Sequence, residues 1–423
     1  MGRDAFLAAL AADAGLWPDF DAICGFGGRL QGTPGCDAAF DFVAGRMGAL
    51  GPVGEAPTRY HGWSLDRIRV TTPDGAEIPA LPLLGSVSTP EGGIELDVLD
   101  LGRGTPDDIA AAGEAVRGKA VLLAHEYAFA AGTIHRRVKL GAAAAAGAAA
   151  VVMVHPAGPV SGGANLCPVP GFGLGADGAR RLRAAGRARF LIQGREAVAT
   201  ARNLILALRG RGPGHVVLSA HLDGHPPGES AIDNGSGVAG VLALARAAKP
   251  LLEKAGRGLM VCVFGAEEWS LSGSRAWLAA LPPAEIAAMA ANVNLDSIVG
   301  SPNLTALTSG YPGLAAEVAR SGAEVALRDL LSVSSDHANF AARGVPAMRA
   351  IAGFEEPESR VSQILTGADT RALTSEDELR AATVKVGAIL WHLLALEEKA
   401  VARMRENAAD AQAAVGALSP LPA

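Results

Sequence analysis

The chain has 423 residues, 49% of them hydrophobic and 19% charged, with a formal net charge of −6. That length is generous for one domain and comfortable for two, and the composition describes a packed globular protein rather than a disordered one. No strongly basic block occurs, which argues against nucleic acid as the main partner.

The opening MGRDAFLAALAADAGLW holds only a short apolar stretch before Asp13, too short and too acidic for a secretory signal. Phe6 breaks a myristoylation motif. The longest uncharged run, GAAAAAGAAAVVMV at 141–154, is too short to span a bilayer. Cys24, Cys36, Cys167 and Cys262 show no CxxC spacing and read as buried free thiols. The expectation is a cytoplasmic protein with no membrane partner.

Residues 61–199 form a second unit. RIRVTTPDGAEIPALPLLGS (67–86), IELDVLDLG (94–102), AVRGKAVLLAHEY (115–127) and AAAVVMVHP (148–156) read as short strands with turn punctuation and an Ala-rich helix between the last two. Its histidines, at 61, 125, 135 and 155, are scattered, so no catalytic cluster is expected there. The remainder, 1–60 and 200–423, is expected to form one discontinuous domain.

From about residue 200 strands and helices alternate. HVVLSAH (215–221), GLMVCVFG (258–265), AANVNLDSIVG (290–300) and VPAMRAIAGF (345–354) contain strands. GVAGVLALARAAKPLL (237–252) and SRAWLAAL (274–281) have helical periodicity, and 378–404 reads as one long helix in which His392 packs. This pattern predicts an α/β fold, a three-layer sandwich whose mostly parallel mixed sheet is covered on both faces. In such sheets functional groups gather at the strands' carboxyl ends. His221, Glu267, Glu268 and Asp296 all fall there.

SAHLDGHPPGESAIDNGSG (219–237) concentrates two histidines and three carboxylates in one loop. His221 and Asp223 form H-x-D; Asp233 follows, then Glu267–Glu268 in FGAEEWS and Asp296 in VNLDS. Singly these are ordinary features: Glu267–Glu268 suits a helix start and Asp233–Asn234–Gly235 a turn or cap. Together they make a borderline-hard metal site. Zinc takes imidazole nitrogen and carboxylate oxygen at about 2.0–2.2 Å, and manganese or cobalt accept the same donors. More carboxylates than one ion needs points to two ions about 3.5–4 Å apart. Of the two adjacent glutamates, one binds metal while its neighbour handles a proton. Gly235-x-Gly237-x-x-Gly240 matches a dinucleotide fingerprint only formally, because a loop and not a strand precedes it. No G-x-S-x-G elbow or phosphate-binding loop is present.

AHLDG, AIDNGSGVAG, FGAEEWSLSGS, NLDS, SDHANF and GVPAM, in that order, resemble the co-catalytic zinc aminopeptidase family, which includes glutamate carboxypeptidases and glutaminyl cyclases. ICGFGGRLQGTPGCDAAFDFVAGRMGALG (23–51) resembles that family's opening region, and 61–199 resembles the β-rich α/β protease-associated domain often inserted in it. The resemblance implies His221 and Asp296 on one zinc, Glu268 on the other and Asp233 bridging. It implies Glu267 as general base and Asp223 as the carboxylate that orients His221. The implied activity is a metal-dependent exopeptidase, an aminopeptidase acting on short peptides through metal-activated water. Alternatives are glutaminyl cyclase or carboxypeptidase activity on the same scaffold, or a non-catalytic binding protein. A homo-oligomer is compatible with the sequence. One departure stands out: Leu365 of LTGADT occupies the place of the family's last histidine ligand. Leucine has no donor, so His225 or His337 is the candidate replacement; otherwise the second site is one ligand short.

Overall fold

A computed structural model describes residues 2–163 and 167–406; the last part of the expected catalytic domain, 407–423, lies outside the described residues. Two mixed sheets organise the chain. The first has eight strands, and its centre is built from the four expected in the sequence: Gly258–Phe264, His215–His221, Met289–Leu295 and Ala347–Ala352, side by side and parallel. Almost every residue of these runs is buried, as apolar strands covered on both faces require.

The edges were not legible. Val53–Glu55 and Leu204–Leu208 extend one side antiparallel, and Leu304–Leu307 with Ala326–Arg328 extends the other. The chain leaves His215–His221 for the strand on one side and later enters Met289–Leu295 on the other. The crevice where ligands bind in open α/β sheets thus lies at the carboxyl ends of these strands.

Helix Ser236–Ala248 is buried on nearly all sides, between this sheet and the helices Gly2–Ala11, Leu16–Gly25 and Glu376–Leu394. Small residues make that possible: a Cβ at Gly240 would meet Leu295 Cδ2 at 2.9 Å, and one at Gly387 would meet Leu10 Cδ2 at 2.5 Å. Across the sheet, Trp277 and Phe340 of the helices Ser272–Ala280 and His337–Ala342 pack on Phe264. The expected long C-terminal helix is instead two, Glu376–Leu394 and Glu398–Met404, bent by 115°. Continuous apolar periodicity concealed that break. Among the described residues no single helix is long and apolar enough to cross a membrane.

All nine strands of the second sheet fall within residues 58–201. Its backbone is a pair of long antiparallel strands, Thr58–Thr71 and Arg187–Ala201, with a register shift between Gln193 and Gly194. Glycine is required at that shift, since a Cβ on Gly194 would lie 2.1 Å from the Trp63 ring. The expected strands appear as Ala80–Leu84, Ile94–Asp100, Ala120–Ala124 and Ala150–His155. Asn203 ties the two sheets together. Its amide donates to Ala56 O and Thr58 Oγ1, both at 2.9 Å, and its oxygen accepts from Gly265 N at 3.1 Å.

Candidate active site

His221 is the last residue of its strand, Asp296 follows the end of another, and Glu267–Glu268 lie just beyond Phe264. Asp233 comes from the loop before Ser236–Ala248. In that helix a Cβ at Gly237 would sit 2.3 Å from both Leu295 O and Asn234 Oδ1, so glycine lets the loop close on the neighbouring strand.

These side chains converge. His221 Nε2 is 3.2 Å from Asp233 Oδ1 and 3.6 Å from Asp296 Oδ1. One donor atom each of His221, Glu267 and Asp296 lies within 4.8 Å of the others. Glu268 faces a different histidine: its Oε2 is 2.7 Å from His225 Nε2.

Asp223 supports both groups. Its carbonyl is 3.0 Å from His221 Nδ1, closer than its carboxylate at 3.8 Å. The carboxylate instead accepts the amides of Glu267 at 3.1 Å and Glu268 at 3.3 Å, and so holds the paired glutamates in place. Asp369 does the same for the loop of Asp233, accepting from Ile232 N at 2.8 Å and Asp233 N at 3.3 Å. His337 is fully buried at the head of its helix, near the charges of Arg349 and Asp296. Leu365 lines the cavity described below and also packs on the apolar cluster of the inserted unit.

The electrostatics call for a cation. Burial raises the Asp233 and Glu267 carboxyls, and neighbouring carboxylates add to it. Burial alone would depress His221, yet Glu267, Asp233 and Asp296 outweigh it and drive the imidazole towards its charged form. Glu268 and Asp296 go the other way: against burial, His225 lowers the first, and Arg349 with His221 lowers the second. Asp223 is pushed up to about 7 by burial. Glu268 Oε1 is buried with no hydrogen-bond partner among the described residues. Buried carboxylates that recruit every available positive group, with one oxygen left unsatisfied, fit a divalent cation.

The site opens into a cavity of about 440 Å³. Asp233, Glu267, Glu268 and Asp296 line it from the first sheet's unit, and Tyr127, Phe129 and Arg136 from the second's. His125, His135 and His155 line it too, which corrects the view of the second unit's histidines as scattered: three of the four gather at one end of its sheet, and only His61 stays outside. His155 Nε2 also meets Ser362 O at 2.9 Å, pinning one unit to the other.

The sequence profile of Peptidase family M28 matches residues 203–385. That match takes in the strands and loops that carry the candidate site. The matched M28 segment contains every candidate site residue from His221 to Asp369, and the second sheet lies before it. Aminopeptidase YwaD of Bacillus subtilis (strain 168) is 27% identical over 343 residues, 77% of this chain and 72% of that protein. Leupeptin-inactivating enzyme 1 of Streptomyces exfoliatus is 37% identical over 124 residues, 29% of this chain and 28% of its own length. BSAP, a zinc aminopeptidase from Bacillus subtilis, has a solved structure with a TM-score of 0.72 at 22% identity, covering 90% of this chain and 97% of that one. A Peptidase M28 precursor from Shewanella amazonensis SB2B gives 0.75 at 18%, covering 93% and 96%. Both structures share the fold.

Three M28-segment residues of consequence escaped the sequence reading. Asp369 lay unassigned in LTGADT. Arg349, whose Nη2 meets Asp296 Oδ2 at 3.1 Å, interrupts an apolar strand, and a cation there was the available signal. Glu229 was noticed only as part of a crowded loop; its carboxylate pairs with Arg371 at 2.9 Å.

Proposed function

We infer that the chain is a zinc-dependent aminopeptidase that removes N-terminal residues from short peptides. The observation that carries this reading is the convergence of His221, Glu267 and Asp296, with Asp233 against the same His221 nitrogen, where the carboxylates and Glu268 line a cavity. His221 and Asp296 would hold one zinc, Glu268 the other, and Asp233 would bridge; manganese or cobalt suit the same donors. A bound zinc supplies Lewis acidity, polarising a carbonyl and acidifying water.

The chain's own groups do the rest. Glu267 is buried, raised and held by the Asp223–amide contact, so it accepts a proton from water and returns it to the leaving amine. Residues 61–199, read as an inserted protease-associated domain, wall the cavity with Tyr127 and Phe129 and limit it to short substrates. The names of aminopeptidase YwaD and of the zinc aminopeptidase BSAP point the same way.

Glu267→Ala is expected to keep fold and zinc content while kcat on N-terminally free peptides falls by about 10²–10⁴. Hydrolysis at the wild-type rate would remove Glu267 from the mechanism. A carboxypeptidase reading draws on Arg136 and Arg137, which line the same cavity and suit a terminal carboxylate. Peptides blocked at one end or the other decide between the two. The aminopeptidase reading requires N-acetylation, and not C-amidation, to abolish turnover.

A further inference from the structure

Resting on the metal-site reading above, the structure also bears on the ligand that Leu365 does not supply. Leu365 cannot swing a donor into place, and its backbone is held firmly. Ser161 N donates to Leu365 O at 2.8 Å, and Val160 bridges Thr366 antiparallel. The same Ser161 reaches the metal loop. Its Oγ lies 2.9 Å from His225 Nδ1, and the ring's other nitrogen lies 2.7 Å from Glu268 Oε2.

The main chain at His225 is equally constrained. Its N–H donates to Ser230 Oγ at 2.9 Å, the Ser230 hydroxyl reaches His225 O at 3.2 Å, and a Cβ on Gly28 would come within 2.5 Å of that carbonyl. His225 is 3% exposed, so its imidazole is not a solvated loop group. A buried histidine with one nitrogen tied to a hydroxyl and the other aimed at a carboxylate has the fixed orientation that metal-ligating histidines obtain from their outer partners. The rival, His337, lies by Asp296 and Arg349, on the side of the centre that His221 already serves.

We propose that His225 is the missing ligand on the Glu268 side of the centre, taking the place of the histidine absent at 365, and that Ser161 is its positioning residue. The second ion is thereby completed from within the loop that also carries His221 and Asp233, and the unit spanning 61–199 takes part in metal binding through one hydroxyl.

The full chain, stripped with chelator and reloaded with zinc chloride, tests this by elemental analysis and calorimetric titration, with circular dichroism to check folding. Wild type is expected to bind two equivalents, and His225→Ala one. Leu365→His added to His225→Ala is expected to bring back the second. Ser161→Ala is expected to weaken the second ion about 10–100-fold without changing the first, and Ser161→Thr to stay near wild type. The serine series carries the test if His225→Ala fails to fold. Two equivalents at wild-type affinity in His225→Ala overturn the proposal, as does a wild type that binds one ion regardless of residue 225. A folded wild type that binds no zinc instead overturns the metal-site reading beneath it.

Discussion

Arg29 is the side chain on which the loop 222–235 hangs. It is buried, and among the described residues no carboxylate pairs with it. Its guanidinium donates to Leu222 O at 2.9 Å, Glu229 O at 2.6 Å and Ser230 O at 2.8 Å in the loop. It also donates to Ile23 O at 3.2 Å and Gly27 O at 2.9 Å near its own segment. Burial pulls its pKa down, partly offset by the nearby Cys24, Cys36, Asp369 and Asp223, and the carbonyls take up its N–H groups. Arg29→Met keeps the apolar stem and orphans those carbonyls. A loss on the order of 3–5 kcal/mol in urea unfolding is expected, with weaker zinc retention. A change under about 1 kcal/mol would show that the loop is held by other contacts.

The helix Arg136–Ala145 carries the inserted unit's own buried charge. Lys139 has a fully buried side chain whose ammonium donates to Arg103 O at 2.7 Å and Ala124 O at 2.9 Å, and lies 3.0 Å from Glu126 Oε2. Burial works to raise Glu126, but Arg103, the Ile134 amide and Lys139 outweigh it, leaving the carboxyl below its ordinary value. Lys139→Ala removes one partner and is expected to destabilise this unit by about 3 kcal/mol. Faster hydrogen exchange in Ala120–Ala124 and Ala150–His155, with little change around His215–His221, is the readout. The pH sign follows from the depressed value. Folding lowers the Glu126 pKa, so its contribution is complete above the unfolded value and fades as pH falls through the folded one. The same strands should therefore loosen in acid, and in Lys139→Ala that acid step should shrink.

Both sheets line the cavity, so a cation bound there would stabilise the loop and both units together. A cation that binds only the folded chain adds about 2.7 kcal/mol per site when free zinc is 100-fold above Kd. Chelation is expected to lower Tm by several degrees and zinc to restore it. A Tm indifferent to zinc would mean that the carboxylate cluster is satisfied without metal, and the function would have to be sought elsewhere.

Much of this was readable from local pattern. Apolar runs of strand length gave the four central strands, since a strand buried on both faces needs little beyond uninterrupted apolar residues. Strand ends followed by His221, Glu267–Glu268 and Asp296 gave the candidate site, because a parallel sheet brings its carboxyl ends to one edge. Edge strands such as Leu304–Leu307 and Ala326–Arg328 are too short to show a period. The break after Leu394 left no mark on periodicity, as both pieces bury apolar residues.

The sequence by itself determined the α/β class and a donor set of metal-binding type at the strand ends, because residue type and strand register are local properties. Only the tertiary structure decided which groups serve that set: Arg29 on distant carbonyls, Arg349 on Asp296, Ser161 on His225. Those contacts join residues with no fixed spacing, many through backbone atoms that every residue carries alike. Nothing in the order of side chains can encode them until the chain has folded.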